Sequence, residues 1–533
     1  MSQSGPGARP VVVEDASDLS ELGYKQELHR GLGPFASFAA GFSFVSILTT
    51  VFAFFAIGVA FGGPAFAWTW PIVFVGQFAV SLVFAELSAR YPIAGAVYQW
   101  SRRLSNDPLG WFAGWFMLTG YIVSVAALAV AMQTVLPSLW GGFQLIGTDP
   151  AVTSPSGAAN AILLGSVTIV ICTVISALGV SLMGRITIIG VTIEIIGAAL
   201  MVVLLFANAE RGPEVILETN GVQGEGSYLW PFLASMLMAT YVMYGFDSAA
   251  ELSEETGDPR RTAPRAIIQA MLISAIGGGL MIMSALMAAP SITAPELSTQ
   301  GIAWVLTSAL DTWMAKLLLA IVAVAIFSAV LAIQSSAARV MFSMARDGRL
   351  PYAQVLSRVN PKTSTPVYTG VTVSALAIAI LVVNLGQSSV FAAVAAVSVV
   401  VVYLAYLMVT GPALWHRLRG SDAASAPAGY FTLGRWGVPI NLVAVGFGAF
   451  FLVDIAWPRA AVYDPGGEGH WYLQYFPILF VAALLVTGLL AYRRMLREHG
   501  IPTHGVLDLT HPRDAATGEP VLHHTQDEPP RLP

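Results

Sequence analysis

Apolar blocks of about twenty residues recur along this chain, with almost no charge inside them. A helix rising 1.5 Å per residue needs a block of that length to cross the ~30 Å hydrocarbon core of a bilayer. In hydrocarbon every backbone N–H and C=O must be bonded within the protein, so only helices and closed barrels span it. Blocks this long and continuous predict helices. Twelve are counted: 35–61, 68–91, 111–136, 158–178, 186–206, 228–252, 266–289, 313–341, 367–383, 390–410, 438–455 and 475–492. The predicted fold is therefore an all-α polytopic membrane protein with twelve transmembrane helices, in contact with the lipid bilayer. Composition agrees: 11% of residues are charged, against about 25% in soluble domains.

The placement of basic residues orients the chain. With the N-terminus in the cytoplasm and spans alternating, only Arg211, Lys316 and Arg459 of the 26 lysines and arginines fall outside. The positive-inside rule then puts both termini in the cytoplasm of a multi-pass inner (plasma) membrane protein. Trp140, Trp230, Trp304, Trp457 and Trp471 fall in or near the outer loops, as an interfacial belt would. No secretory signal is expected, because the polar start runs into an apolar block too long for one. Residues 1–20 and 498–533 are predicted to be disordered cytoplasmic tails around a transmembrane domain over 21–497. Within it, 23–35 (GYKQELHRGLGPF) is expected to form a surface helix leading into span 1. The stretches after spans 2 and 8 are expected to be amphipathic and basic. The lone Cys172 lies in span 4, so no internal disulfide is possible. All eight histidines lie outside the spans, which excludes a histidine proton relay in the membrane. The tail histidines His504, His511, His523 and His524 have no scaffold that would organise a metal site.

Five stretches depart from plain membrane sequence. Gly245-Phe246-Asp247 sits inside span 6, roughly 25 Å along it. Glycine weakens a helix and a carboxylate is costly in lipid, so a helix break there is expected. The alternative is that Asp247 begins the cytoplasmic cap of span 6. Glu194 lies roughly 12 Å into span 5, without a lysine or arginine near it in sequence. It is a candidate proton carrier or partner of a cationic substrate, or else packing glue between helices. Span 1 carries Ser43, Ser46, Thr49 and Thr50, hydroxyls that suit either an unwound point or close packing. Span 8 ends with Ser328, Gln334, Ser335 and Ser336, which suit a gate or packing. Glu86, with Arg90 after it, closes span 2 as a cytoplasmic gate or an ordinary interfacial ion pair. Gly110 and Gly114 form a GxxxG, mainly a packing signal. There is no Walker loop, metal-ligand cluster or nucleophile–base arrangement, so no enzyme, cofactor, metal or nucleic-acid partner is expected.

Irregular first helices in two sets of five spans fit an inverted 5+5 repeat. Spans 1–5 (about 35–206) and 6–10 (about 228–410) would be the repeats, with discontinuous helices 1 and 6 and two additional helices over about 438–492. GGPAFAWTWPIVFVGQFAVSLVFAELSARYPIAGAVYQWS resembles the span 2 signature of the amino acid–polyamine–organocation superfamily of permeases. YGFDSAAELSEETGDPRRTAPRAI resembles that family's span 6 and following loop, and SSAARVMFSMARDGRLP its span 8 exit. The span 1 to span 2 wording is most similar to the subgroup carrying amino acids, γ-aminobutyrate and choline-like amines.

The resemblance implies a substrate site between the broken parts of spans 1 and 6. Backbone from Ser46 through Ile47, Leu48 and Thr49 to Thr50 would take a carboxylate, and that of Tyr244, Gly245 and Phe246 an ammonium. Tyr241 matches an aromatic gate and Asp247 an acidic position of several members. The chain departs from the family in having Leu48-Thr49-Thr50 where glycines are usual, and Glu194 where some proton-coupled members hold a lysine. The implied function is a secondary active transporter of amino acids or small amines, working by alternating access. Coupling to protons is expected ahead of sodium, with Glu194 or Asp247 titrating. The alternatives are a substrate/product exchanger and a non-transporting membrane amine sensor. Oligomeric state is not legible.

Overall fold

The computed structural model describes residues 19–152, 154–383, 388–463 and 469–499. Among them the regular structure is helical, apart from an isolated bridge between Leu32 and Thr256. Two of the membrane-length helices begin on side-chain caps. Asn106 accepts from the amide of Leu109 at 3.0 Å and Ser154 from Gly157 at 3.0 Å, each with a proline in the following first turn. Those side chains satisfy amides that the first helical turn leaves unpaired.

In chain order the helices are α1 (Pro34–Val45), α2 (Ile47–Gly62), α3 (Thr69–Arg90), α4 (Ala96–Leu104), α5 (Asp107–Leu139), α6 (Pro155–Leu178) and α7 (Val180–Ala207). Then come α8 (Leu229–Val242), α9 (Ser248–Glu251), α10 (Pro259–Ala288), α11 (Thr312–Arg346), α12 (Val367–Val383), α13 (Ser388–Leu418), α14 (Gly437–Ala456) and α15 (Phe476–His499). Among the described residues, ten apolar stretches are long enough to cross a membrane, and Leu229–Val242 and Val367–Val382 are shorter apolar helices. Together they occupy the twelve expected positions. Spans 1 and 6 are each interrupted, between α1 and α2 and between α8 and α9.

Packing follows the repeat. α5 packs on α13 as α11 packs on α7; α1 on α10 as α8 on α3. Exchanging each of spans 1–5 with its counterpart five later in 6–10 turns the first pair of each statement into the second. The self-related pairs are also in contact: α2 with α8, α3 with α10, and α5 with α11. α14 lies against α3 and α13, outside this pattern. Buried polar groups tie the bundle. Gln334 donates to Thr173 at 2.7 Å and to Ser374 at 2.5 Å, linking α11, α6 and α12. The span 8 amide thus packs helices together. Cys172 is buried between α6 and the carbonyl of Phe327. Trp140, Trp230, Trp457 and Trp471 are exposed on the molecule's flank, and Trp304 is partly buried.

Three expectations change. Residues 24–33 are not helical. Their backbone is drawn to the loop after α9, where the Leu32 amide donates to the carbonyl of Glu255 at 2.9 Å and Gly257 to Leu32 at 3.1 Å. The basic stretch after α3 forms α4, which is buried rather than laid on the surface: Trp100 is fully buried and Arg102 is 8% exposed. Gly110 lets it dock, since a Cβ there would stand 2.6 Å from the Cα of Arg102. α13 runs beyond the expected end of span 10 and includes His416, whose Nε2 lies 2.9 Å from the carbonyl of Leu104. Of the segments expected to be disordered, 1–20 and 498–533, residues 19–20 and 498–499 are instead helical, while 1–18, the tail beyond 499 and its histidines lie outside the described residues.

Candidate functional site: two helix breaks, a cavity and a closed end

Ser46 turns span 1 by adopting a left-handed conformation, φ 39°. A non-glycine residue there costs of order 1–3 kcal/mol, so the surroundings must over-determine it. They do so with hydroxyls. Ser46 Oγ donates to Glu194 at 2.9 Å and lies 2.7 Å from Thr49 Oγ1. Thr50 Oγ1 donates to the carbonyls of Val45 at 3.0 Å and Ser46 at 2.9 Å. The Val45 carbonyl at the break thereby gains a partner, and the Ser46 carbonyl, which also accepts from the Thr50 amide at 2.8 Å, gains a further one. Glu194 reaches in from α7 and also accepts from the Leu48 amide at 3.4 Å, at the start of α2. A carboxylate at a helix N-terminus meets unpaired amides and the favourable end of the helix dipole. Its second oxygen is buried and makes no hydrogen bond.

One prediction follows at this break. Ser46→Ala removes the hydroxyl that anchors Glu194 and keeps the αL strain. Ser46→Gly removes the same hydroxyl but also relieves the strain, because glycine takes φ > 0 freely. Both variants are expected to melt lower in detergent. The alanine form should be worse, by about 1–3 kcal/mol relative to the native chain. Equal melting of all three chains would show that the hydroxyl holds nothing.

Span 6 breaks between Met243 and Asp247, with Gly245 at φ 87°. Asp247 leads into the short helix α9 and is fully buried. It accepts from Tyr121 Oη of α5 at 2.9 Å and closely from Tyr406 Oη of α13. Tyr406 in turn accepts from the Gly245 amide at 3.0 Å. The break is thus braced by two phenols that sequence reading had not assigned. Only their aromatic character and span position were visible there, and they stand 126 and 159 positions from Asp247.

A cavity of about 740 Å³ runs from these breaks to the loops at 149–152 and 299–300, at the end opposite the arginine-rich loops. Tyr241, Tyr244 and Thr50 line it, as do Phe44, Ser124 and Ser398. Ser46, Ile47, Leu48, Thr49, Gly245 and Phe246 are not on its wall. Phe246 instead packs on Phe84 and Tyr406, with ring centroids 6.0 and 5.6 Å apart. Asp247 and Glu194 likewise point away from the cavity, into the helix packing. Phe44 stands between the cavity and the span 6 break, 5.8 Å from the Tyr244 ring and 5.0 Å from the Tyr121 ring. Tyr244 Oη lies 3.1 Å from Ser124 Oγ. Among the described residues, Asp149, on the loop end, is the only acidic or basic side chain on the wall.

The arginine-rich end is shut by buried ion pairs. Arg339 of α11 makes a bidentate pair with Glu255, at 2.9 and 3.1 Å, and Arg346 one with Glu254, at 2.8 and 2.9 Å. Such fork-to-fork pairs are geometrically specific as well as strong. Asp347 collects Arg102 at 2.7 Å, Tyr98 at 2.9 Å and Gln99 at 3.1 Å, all from α4. Tyr24 of the N-terminal segment donates to it at 3.0 Å. Burial, and then the Asp347 carboxylate, hold the Tyr24 phenol above its ordinary pKa, so it stays a donor. Glu86 and Arg90 are not paired with each other. Glu86 binds Arg417 at 2.6 Å and Thr432 at 2.7 Å, tying α3 to α13, while Arg90 donates to the carbonyl of Ser425. The charges that seal this end come mainly from the EET stretch, from Arg339 and from the ARDG stretch, and the Glu255–Arg339 and Glu254–Arg346 pairings span 84 and 92 positions, which no local pattern reveals.

Known proteins share this sequence at length. The amino-acid permease BAT1 of Arabidopsis thaliana is 28% identical over 482 residues, covering 85% of this chain and 91% of that protein. The BAT1 homologue of Oryza sativa subsp. japonica is 30% identical over 474 residues, 83% and 87% of the two chains. The branched-chain amino acid permease BcaP of Lactococcus lactis subsp. cremoris is 27% identical over 304 residues, 55% of this chain and 64% of that one. A family profile described as amino acid permease matches residues 32–484, from the start of span 1 into span 12. The chain belongs to the amino acid permease family, within the amino acid–polyamine–organocation superfamily that its loop motifs resemble.

Proposed function

We propose that this permease is a secondary transporter that moves amino acids with neutral side chains, or small amines of similar size, across the cytoplasmic membrane. It works by alternating access, coupled to protons. The carrying observation is the cavity that reaches both helix breaks from one end while buried ion pairs shut the other. An alternating-access cycle requires such a state. With the basic end in the cytoplasm by the positive-inside rule, the cavity opens to the exterior. A volume of about 740 Å³ is in the range of small-molecule sites. Its wall offers aromatic rings and hydroxyls, with no charge near the breaks, so a substrate bearing an extra charge would be desolvated without a partner. Glu194 and Asp247 each stand buried beside one break with hydroxyl donors and no hydrogen-bonded lysine or arginine. Each is placed to carry a proton through the cycle.

The test is uptake into proteoliposomes at acid exterior pH without sodium. The panel holds leucine, serine, glutamate, lysine, γ-aminobutyrate, choline and spermidine. Leucine or serine is expected to accumulate, with lysine, glutamate and spermidine at background. Exchange from preloaded vesicles without net accumulation would make the protein an exchanger. Binding in a thermal-shift assay with neither activity would make it a sensor.

A further inference from the structure

Four residues after Asp247, at the end of α9, Glu251 is fully buried. Its backbone amide donates to the Asp247 carbonyl at 3.2 Å, so the two carboxyl groups sit one helical turn apart on the same short segment. Both oxygens of Glu251 are enclosed without a hydrogen bond of full geometry, although the backbone amides of Gly95, Ala96 and Val97 are directed at them. Those amides open α4, the helix whose Tyr98, Gln99 and Arg102 hold Asp347 in the closed end. The neighbouring loop adds a second tie, from the Ala94 amide to Glu254 at 3.1 Å.

The surrounding charges are accounted for. α5 and α13 present Tyr121 and Tyr406, both engaged with Asp247. α1 brings no acidic or basic residue. α10 brings Arg260, whose guanidinium reaches the Ala89 carbonyl, and α11 brings Arg339 and Arg346, held by Glu255 and Glu254. Among the described residues no cation is hydrogen-bonded to either carboxyl of the pair. Two buried carboxyl groups one helical turn apart on one segment each disfavour the other's ionisation, so they titrate as a coupled pair.

We infer that Asp247 and Glu251 form a carboxyl dyad that binds the transported proton, with Glu251 as its release site toward the arginine-rich end. This rests on the proton-coupled reading above and assigns the proton to a residue pair. Asp247 touches the span 6 break through Tyr406 and Gly245. Glu251 touches α4, which belongs to the closure. Opening of that end draws the α4 amides away and admits water to Glu251. The proton then leaves the dyad as a hydrated proton, and the dyad becomes doubly ionised only where water solvates it. Rebinding one proton restores the buried state.

The experiment compares the native full-length chain with Glu251→Gln in proteoliposomes, using labelled leucine and entrapped pyranine as the proton probe. Exchange between leucine pools at equal pH needs no net proton movement and should stay within about twofold of native. Accumulation driven by a pH gradient, and leucine-induced proton entry, should both fall by at least about tenfold. A Glu251→Gln chain that keeps native proton-to-leucine flux overturns the dyad and leaves proton coupling intact. A native chain that exchanges leucine without moving protons sinks the coupling reading itself. Should the variant fail to fold, hydrophobic carbodiimide reacts with protonated buried carboxyls on the native chain. Modification at Glu251 that grows as pH falls supports the assignment, and modification confined to Glu194 overturns it.

Discussion

Glu255→Ala is expected to destabilise the closed arginine-rich end by about 3–5 kcal/mol, because it strands the buried Arg339 guanidinium. Arg339 is 2% exposed and its carboxylate partner is fully buried, so water cannot replace the lost bonds without opening the helix packing. If the pair exists only while that end is shut, the loss shifts the equilibrium between shut and open by about 10²–10⁴-fold. Two measurements read this. Thermal melting in detergent should fall sharply. Concentrative uptake should collapse while leucine exchange persists, since a chain biased open at one end still samples both. The double replacement Arg339→Met with Glu255→Leu removes both charges and should recover much of the melting loss. It should not recover concentrative uptake, because apolar packing does not reproduce the bidentate geometry that selects the shut state. Unchanged melting of Glu255→Ala would refute the claim that this pair holds the end closed.

Gly245→Val is expected to reduce uptake by at least about tenfold through a different route. The residue sits at φ 87°, where a β-branched side chain is a genuine outlier. A Cβ there would stand 1.8 Å from Cδ1 of the Phe44 ring. Phe44 is backed by Tyr121 and Tyr244, so its open direction is the cavity it already lines. The displaced ring would occupy substrate space. The same change strains the amide that Gly245 gives to Tyr406 and thereby loosens Asp247. Uptake measured against expression level is the check. Adding Phe44→Ala to Gly245→Val should restore part of the activity, because it frees the contested volume. A Gly245→Val chain with native uptake would show that the break is not held as described.

How far the sequence reaches is clearest at particular residues. The span positions were legible because lipid forces one local solution on every apolar block, and the period and length of that block are printed in the chain. The breaks were legible for the same reason in reverse: Gly245 with Asp247, and the hydroxyls around Ser46, are the residue types that a broken membrane helix needs. Their detailed roles were not. Ser46 to Thr49 read as substrate contacts, yet their hydroxyls and amides serve the break and Glu194, leaving Thr50 and Phe44 on the wall. Glu86 read as the partner of Arg90 from proximity in sequence, and binds Arg417 instead, 331 positions away. Residues 23–35 read as a surface helix, and the pull of the loop at 255–257 holds them extended.

The division has a physical cause. Hydrophobic length, charge asymmetry and helix-breaking residues act within one or two turns of chain, so the sequence by itself determined the all-helical membrane fold, the broken first helix of each repeat and the family. Hydrogen bonds between side chains on different helices depend on rotation, tilt and depth, which packing sets only once all spans are assembled. The tertiary structure alone decided that Tyr121 and Tyr406 meet Asp247, that Glu251 stands beside it facing α4, and that Glu254 and Glu255 find Arg346 and Arg339 to close one end of the cavity.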